Sequence, residues 1–123
     1  MAQLCGRNCV YGDVFNLSSD EMYDSILLMG NNLGLGGSCE RTREMLLILR
    51  SYLKTNGSII ALQKENKLDY EKFEIQISYR DLRQRINWVT YRSDYLVDMG
   101  ISMGLKTNVV TRDELHYVIE FQN

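Results

Sequence analysis

An α/β fold built on a mixed sheet is predicted for this chain, and three observations predict it. Tyr23-Asp24-Ser25-Ile26-Leu27-Leu28-Met29 is a short apolar run closed by Gly30-Asn31-Asn32, and that length between turn residues favours a strand buried on both faces. A segment with helical periodicity starts at Ser38, and Ser58-Ile59-Ile60-Ala61-Leu62 after it reads as a second buried strand. The chain then closes on two strand-like runs separated by Arg112-Asp113-Glu114, which makes an antiparallel pair. With 123 residues, 45% of them hydrophobic and 24% charged, there is room for a single globular domain, residues 1–123.

The elements follow in order. Leu33-Gly34-Leu35-Gly36-Gly37 connects the first strand to Ser38, a side chain suited to cap a helix running to about Lys54. Met45, Leu46, Leu49, Tyr52 and Leu53 form one helical stripe, with Arg41, Arg43, Glu44 and Arg50 largely off it. Leu47 falls almost opposite, either as an ordinary exposed leucine or as part of a contact surface. Thr55-Asn56-Gly57 supplies residues that tolerate the left-handed conformation of a helix C-cap. Strand, helix and strand in this order make one right-handed βαβ unit. Beyond the polar loop Lys64-Glu65-Asn66-Lys67, Phe73, Ile75, Ile77 and Tyr79 alternate with polar neighbours as in a half-buried strand. Ile86, Trp88 and Thr90 alternate in the same way, so the two runs form a hairpin around Asp81-Leu82. A short helix with Tyr95, Leu96, Met99 and Met103 inward stops at Gly104, and strands near Lys106 to Thr111 and Leu115 to Phe121 end the chain.

Composition excludes several functions. A net charge of -2 removes the electrostatic basis for nucleic-acid binding by phosphate neutralisation. The densest basic group, Arg80, Arg83, Arg85 and Arg92, is interrupted by Asp81 and Asp94 and reads as a solvated face. No apolar run approaches a membrane span and the N-terminus lacks a signal-peptide layout, so the chain is expected in the cytoplasm. Cys5, Cys9 and Cys39 contain no CxxC pair and His116 is the only histidine; no metal site is expected, and the cysteines read as reduced packing residues. The glycines at Gly34, Gly36 and Gly37 invite a phosphate-loop reading, but neither nucleotide fingerprint is present.

The local sequences resemble those of class I S-adenosylmethionine-dependent methyltransferases. Tyr23 to Asn31 is similar to that family's fourth strand, an aromatic residue and Asp before a hydrophobic run. Leu53-Lys54-Thr55-Asn56-Gly57-Ser58-Ile59-Ile60 resembles its "leucine, lysine, proline, glycine, glycine" turn into the fifth strand, with Thr55 and Asn56 replacing the proline and first glycine. Val10-Tyr11-Gly12-Asp13-Val14-Phe15 looks like its third strand ending in Gly-Asp. The resemblance runs from about residue 8 to the end and is strongest between Gly12 and Leu62.

That resemblance implies a partial Rossmann-like methyltransferase fold with S-adenosylmethionine as cofactor. It assigns Asp13 to the adenine amino group, the Val14 backbone amide to the neighbouring ring nitrogen, and Met29, Gly30 and Asn31 to the methionine end of the cofactor. Without the family, Gly12-Asp13 reads as a strand-ending turn and Asn31 as a turn asparagine. Trp88 and Tyr91 are candidates for an acceptor pocket, or core aromatics. No catalytic base is identified, His116 being read as a packing residue remote from the site.

The family holds ribose and methionine with a glycine-rich loop after the first strand and an acidic residue ending the second, and Met1 to Asn8 is too short to supply them. The chain is therefore expected to be inactive alone, binding the cofactor weakly or not at all. It is a fragment, a subunit of a split enzyme, or a non-catalytic interaction module. The family's strand order, 3-2-1-4-5-7-6, would leave Ser25 to Met29 as an uncovered edge. A second copy, a completing partner chain, or a shift of the Cys9 to Asp13 strand would cover it.

Overall fold

The computed structural model describes residues 11–123. Strand β1 (Tyr23–Leu28) runs into helix α1 (Cys39–Arg50), which returns the chain to β2 (Leu53–Lys64), parallel to β1. Strands β3 (Tyr70–Tyr79) and β4 (Leu82–Tyr91) form a separate antiparallel hairpin. Helix α2 (Ser93–Ser102) leads to β5 (Lys106–Arg112) and β6 (His116–Gln122), and the main sheet has the order β1-β2-β6-β5. This is an α/β fold with one parallel strand pair and a closing antiparallel hairpin, as the sequence predicts.

Ser38 caps α1 by accepting a hydrogen bond from the Arg41 amide, satisfying one of the donors every helix start leaves free. The helix is shorter than its sequence pattern. It ends at Arg50, and Tyr23 donates its amide to the Tyr52 carbonyl at 2.8 Å. Pairing with β1 therefore draws Leu53 and Lys54 out of the helix and into β2, a tertiary preference overriding local periodicity. Thr55-Asn56-Gly57 is accordingly not a helix cap. It lies within β2 at an irregularity where the register passes from Tyr23↔Leu53 to Ser25↔Ser58, with Asn56 left-handed at φ 64°. A Cβ on Gly57 would stand 3.1 Å from the Asp24 carbonyl, so glycine is what lets the bulge lie against β1.

Both helices cover one face of the sheet. Ile59 and Ala61 of β2 and Tyr117, Ile119 and Phe121 of β6 meet Met45, Leu46 and Leu49 of α1 and Leu96 and Met99 of α2 in one buried cluster. Gly100 makes the closest approach of α2, since a Cβ there would lie 2.1 Å from Thr107 Oγ1 and 2.8 Å from Phe121. The alternating positions Leu27, Ile60, Leu62 and Val118 face the other way and are partly or largely exposed. Strand β1 is thus not buried on both faces: Ile26 and Leu28 are half-buried against the core while Leu27 is exposed, because the helices lie on one face and β2 is its only partner among the described residues. Leu47 is exposed on α1, as its position off the stripe predicts.

Hairpin β3–β4 turns at Arg80-Asp81, one residue earlier than the sequence suggests, with Arg80 left-handed at φ 54°. It is not half-buried: Phe73, Ile75, Ile77 and Tyr79 are all exposed. The carboxylate of Glu65, in the loop after β2, receives the amide and hydroxyl of Ser93 at 2.9 and 2.8 Å, and so caps α2 from outside the helix. Partial burial pushes the Glu65 carboxyl up, but the bonds from Ser93 and Asn66 together outweigh it and hold the group below its ordinary value.

Candidate functional site

Ligands of open α/β sheets bind beyond the carboxyl ends of the parallel strands, here the segment after Leu28 and the end of β2. Gly30 and Asn31 both take positive φ, 76° and 67°, a sharp reversal that glycine and asparagine tolerate best. The Asn31 amide donates to the Leu62 carbonyl at 3.1 Å, and its Oδ1 accepts from the Lys64 amide at 3.3 Å. Asn31 therefore ties the end of β1 to the end of β2, and its Nδ2 is left to address a ligand. Met29 is exposed, and a Cβ on Gly30 would meet nothing within 4 Å, so this corner has an open floor.

The connection from β1 to α1 is a 3-10 turn, Asn32–Gly36. It packs along β4, with a Cβ on Gly34 falling 2.2 Å from the Val89 carbonyl and 2.4 Å from the Trp88 indole nitrogen. Trp88 is thereby brought beside the segment that follows β1. Tyr91 is not: three positions further on, it faces the opposite side of β4 by the strand pleat. It is fully buried, and its hydroxyl donates to Thr42 Oγ1 at 2.7 Å, which donates in turn to the Leu33 carbonyl at 2.9 Å. Burial pushes the Tyr91 and Tyr117 phenols well up. Both remain protonated structural donors, Tyr117 bonding the Tyr91 carbonyl at 2.8 Å.

Residues Tyr11 to Asp13 carry no strand pairing, so the described part of the expected third strand is absent, while Val10, Cys5 and Cys9 lie outside the described residues. Asp13 caps the 3-10 turn Val14–Asn16 through Oδ1, which accepts from the Phe15 amide at 2.9 Å. An amino donor would be met through Oδ2. The turn is anchored on α1, the Arg41 guanidinium lying 3.6 Å from the centre of the Phe15 ring. Gly12, Asp13, Val14, Phe15 and Leu35 line an open hollow of about 540 Å³ with one carboxylate in its wall. Leu35 was legible only as loop. Its place in the wall follows from the turn that sets it opposite Val14.

His116 is exposed at the start of β6, not packed, with Nδ1 3.9 Å from Asp113. It pairs in register with Lys64, whose amide is bound by Asn31, so it stands at the same end of the sheet as the site. The hollow it helps line, with Leu62, Arg112 and Asp113, is only about 120 Å³, too small for a nucleoside. Amide bonds from Leu115 and His116 hold the Asp113 carboxyl below its usual value.

An α/β sheet of order β1-β2-β6-β5, with a parallel first pair and antiparallel last strands, is the arrangement of the second half of the methyltransferase fold. Solved methyltransferases share it. One is an S-adenosylmethionine-dependent methyltransferase from Bacteroides fragilis in complex with S-adenosyl-L-homocysteine, with TM-score 0.72, 17% identity, and cover of 88% of this chain and 51% of that one. DhpI in complex with S-adenosylhomocysteine has TM-score 0.72, 14% identity and cover of 89% and 52%. The glycopeptide N-methyltransferase MtfA has TM-score 0.64, 14% identity and cover of 91% and 59%. The chain thus spans between about half and three-fifths of the length of these structures, and at such identities the likeness is one of fold. No family model matches the chain, and no curated protein sequence matches it. No helix among the described residues is long and apolar enough to cross a membrane.

Proposed function

We propose that this chain is the acceptor-side half of a methyltransferase domain, which transfers a methyl group from S-adenosylmethionine once further strands are supplied beside β1. The observation that carries the reading is the strand order β1-β2-β6-β5, in a fold like that of structures that hold S-adenosylhomocysteine, ending on β1 with no second partner strand among the described residues. The residues fit one end of the cofactor. Asp13 Oδ2 and the Val14 amide would meet adenine against Val14 and Leu35, while Met29, Gly30 and Asn31 Nδ2 would border the methionine end. Among the described residues no glycine-rich loop faces the ribose, so the other end is left to an adjoining segment or a partner chain.

When bound, the cofactor supplies an electrophilic methyl on sulfonium. The protein's part is to place an acceptor in line with it, and rate then comes from proximity and orientation. Trp88, held by Gly34 beside the end of β1, is positioned to border an acceptor, whereas Tyr91 acts by fixing α1 and the 3-10 turn through Thr42.

Losing the contacts to ribose and methionine removes several hydrogen bonds, at about 1.5 to 3 kcal/mol for each one involving a charged group. Two such losses weaken binding by on the order of a hundredfold or more. Calorimetric titration of S-adenosylhomocysteine into the purified chain is expected to show no low-micromolar binding. Binding should arise when the chain is produced together with its completing segment and weaken in Asp13→Ala. Low-micromolar binding by the isolated monomer would overturn the requirement for completion. A second reading, an interaction module without catalysis, draws on Asp13 Oδ1 and Asn31 Oδ1 both being committed to backbone amides. It predicts no binding in either preparation.

A further inference from the structure

Residues directly opposite each other in β3 and β4 share a face of the hairpin, and the register places Phe73↔Trp88, Ile75↔Ile86, Ile77↔Gln84 and Tyr79↔Leu82 on one side. Between Phe73↔Trp88 and Tyr79↔Leu82 that side carries no charge, and Glu71, opposite Thr90 at its base, is its one charged residue. The other side carries Lys72, Glu74, Arg83 and Arg85. Phe73, Ile75, Ile77, Tyr79 and Leu82 are between 38% and 73% exposed. A two-stranded hairpin is at best marginal alone in water. Here strands of about 33 Å meet the body chiefly at their base, where Asn32–Gly36 packs on β4 and the Arg92 amide reaches the Asp69 carbonyl.

We propose that the apolar face of β3–β4 is a homodimer interface, closed by the same face of a second copy about a two-fold axis. Large side chains offer roughly 150 to 250 Å² each, so the five at these exposures present about 500 Å² per copy. Two copies would bury on the order of 1,000 Å² before Trp88, Ile86 and the rim are counted, which reaches the lower range of specific interfaces. A second hairpin matches this strip in length and width and in its uncharged stretch from Phe73↔Trp88 to Tyr79↔Leu82, and a two-fold pairing of that stretch sets no like charges against each other within it. The surface is separate from the β1 edge, so the inference stands or falls independently of how the sheet is completed.

Sedimentation of the wild-type chain across a concentration range tests it, beside Ile77→Lys on the hairpin and Leu27→Lys on the exposed side of β1, with far-UV circular dichroism to verify folding. Both sites are more than half exposed, so both variants are expected to fold. The expected result is a dimer for wild type and Leu27→Lys, and a dissociation constant raised at least ~100-fold for Ile77→Lys, as burying an unpaired charge requires. Any other pattern overturns the proposal. A monomeric wild type would assign the face to a different occupant. A dimer that survives Ile77→Lys but not Leu27→Lys would place association on the sheet edge.

Discussion

Replacing Gly34 by alanine tests the contact on which the candidate site's shape depends. A Cβ at this position would lie 2.2 Å from the Val89 carbonyl oxygen and 2.4 Å from the Trp88 indole nitrogen. The indole can swing aside, but the carbonyl belongs to β4 and moves only if the strand or the 3-10 turn moves with it. Overpacking of this kind typically costs about 1 to 3 kcal/mol, and a clash with backbone belongs at the upper end. That is a substantial part of the roughly 5 to 15 kcal/mol that stabilises a domain. For a chain of this size about 3 kcal/mol corresponds to a fall in Tm on the order of 10 °C. Trp88 is the only tryptophan, so its fluorescence reports the surroundings of this contact, and thermal unfolding followed at that signal and at one fixed protein concentration is the assay. Gly12→Ala is the control, because a Cβ there meets nothing within 4 Å, and it should shift Tm by little. A Gly34→Ala protein with wild-type Tm and unchanged tryptophan emission would refute the packing of this turn against β4.

Three further substitutions test the supporting network. Glu65→Gln should lower stability at pH 7 by about 1 to 2 kcal/mol through loss of a charge-assisted cap on α2. Because the folded carboxyl lies below its ordinary 4.5, its contribution is complete above that pH and fades as pH falls through the folded value; urea titrations at pH 7 and pH 3 should therefore show the wild-type advantage shrinking in acid. Tyr91→Phe removes the donor to Thr42 while keeping the packed ring, and should cost about 1 kcal/mol in denaturant unfolding; a loss beyond about 3 kcal/mol would mean that the ring packing, too, had been disturbed. Asn31→Ala removes the Lys64 amide's partner and places alanine at positive φ, and a destabilisation of about 1 to 2 kcal/mol is expected in the same measurement.

The sequence by itself determined the elements whose pattern is local. The strand at Tyr23 to Leu28 was legible from an apolar run between turn residues, although its expected burial on both faces was not; the Ser38 cap, α2 and the two final strands were legible because capping and burial select residue types at fixed spacing. The turn at Arg80-Asp81 came within one residue.

Tertiary structure decided the rest. Lys54 could not be assigned to β2 from periodicity, because its state is set by the pairing of Tyr23 with Leu53. Alternation in Phe73 to Tyr79 reports only that one face is apolar, not whether anything covers it, and none of the described residues does. The site shows the same division. Asp13 and Asn31 were nameable from family-like motifs, yet their Oδ1 atoms proved committed to Phe15 and Lys64 by contacts that only folding brings together. Trp88 and Tyr91 looked equivalent three positions apart, until the pleat sent one toward the Gly34 turn and the other into the core. His116 read as remote along the chain, but antiparallel pairing of β6 with β2 returns it to the end of the sheet where β1 and β2 finish. Sequence separation sets how a chain is written, while hydrogen-bond register sets which of its side chains share a surface.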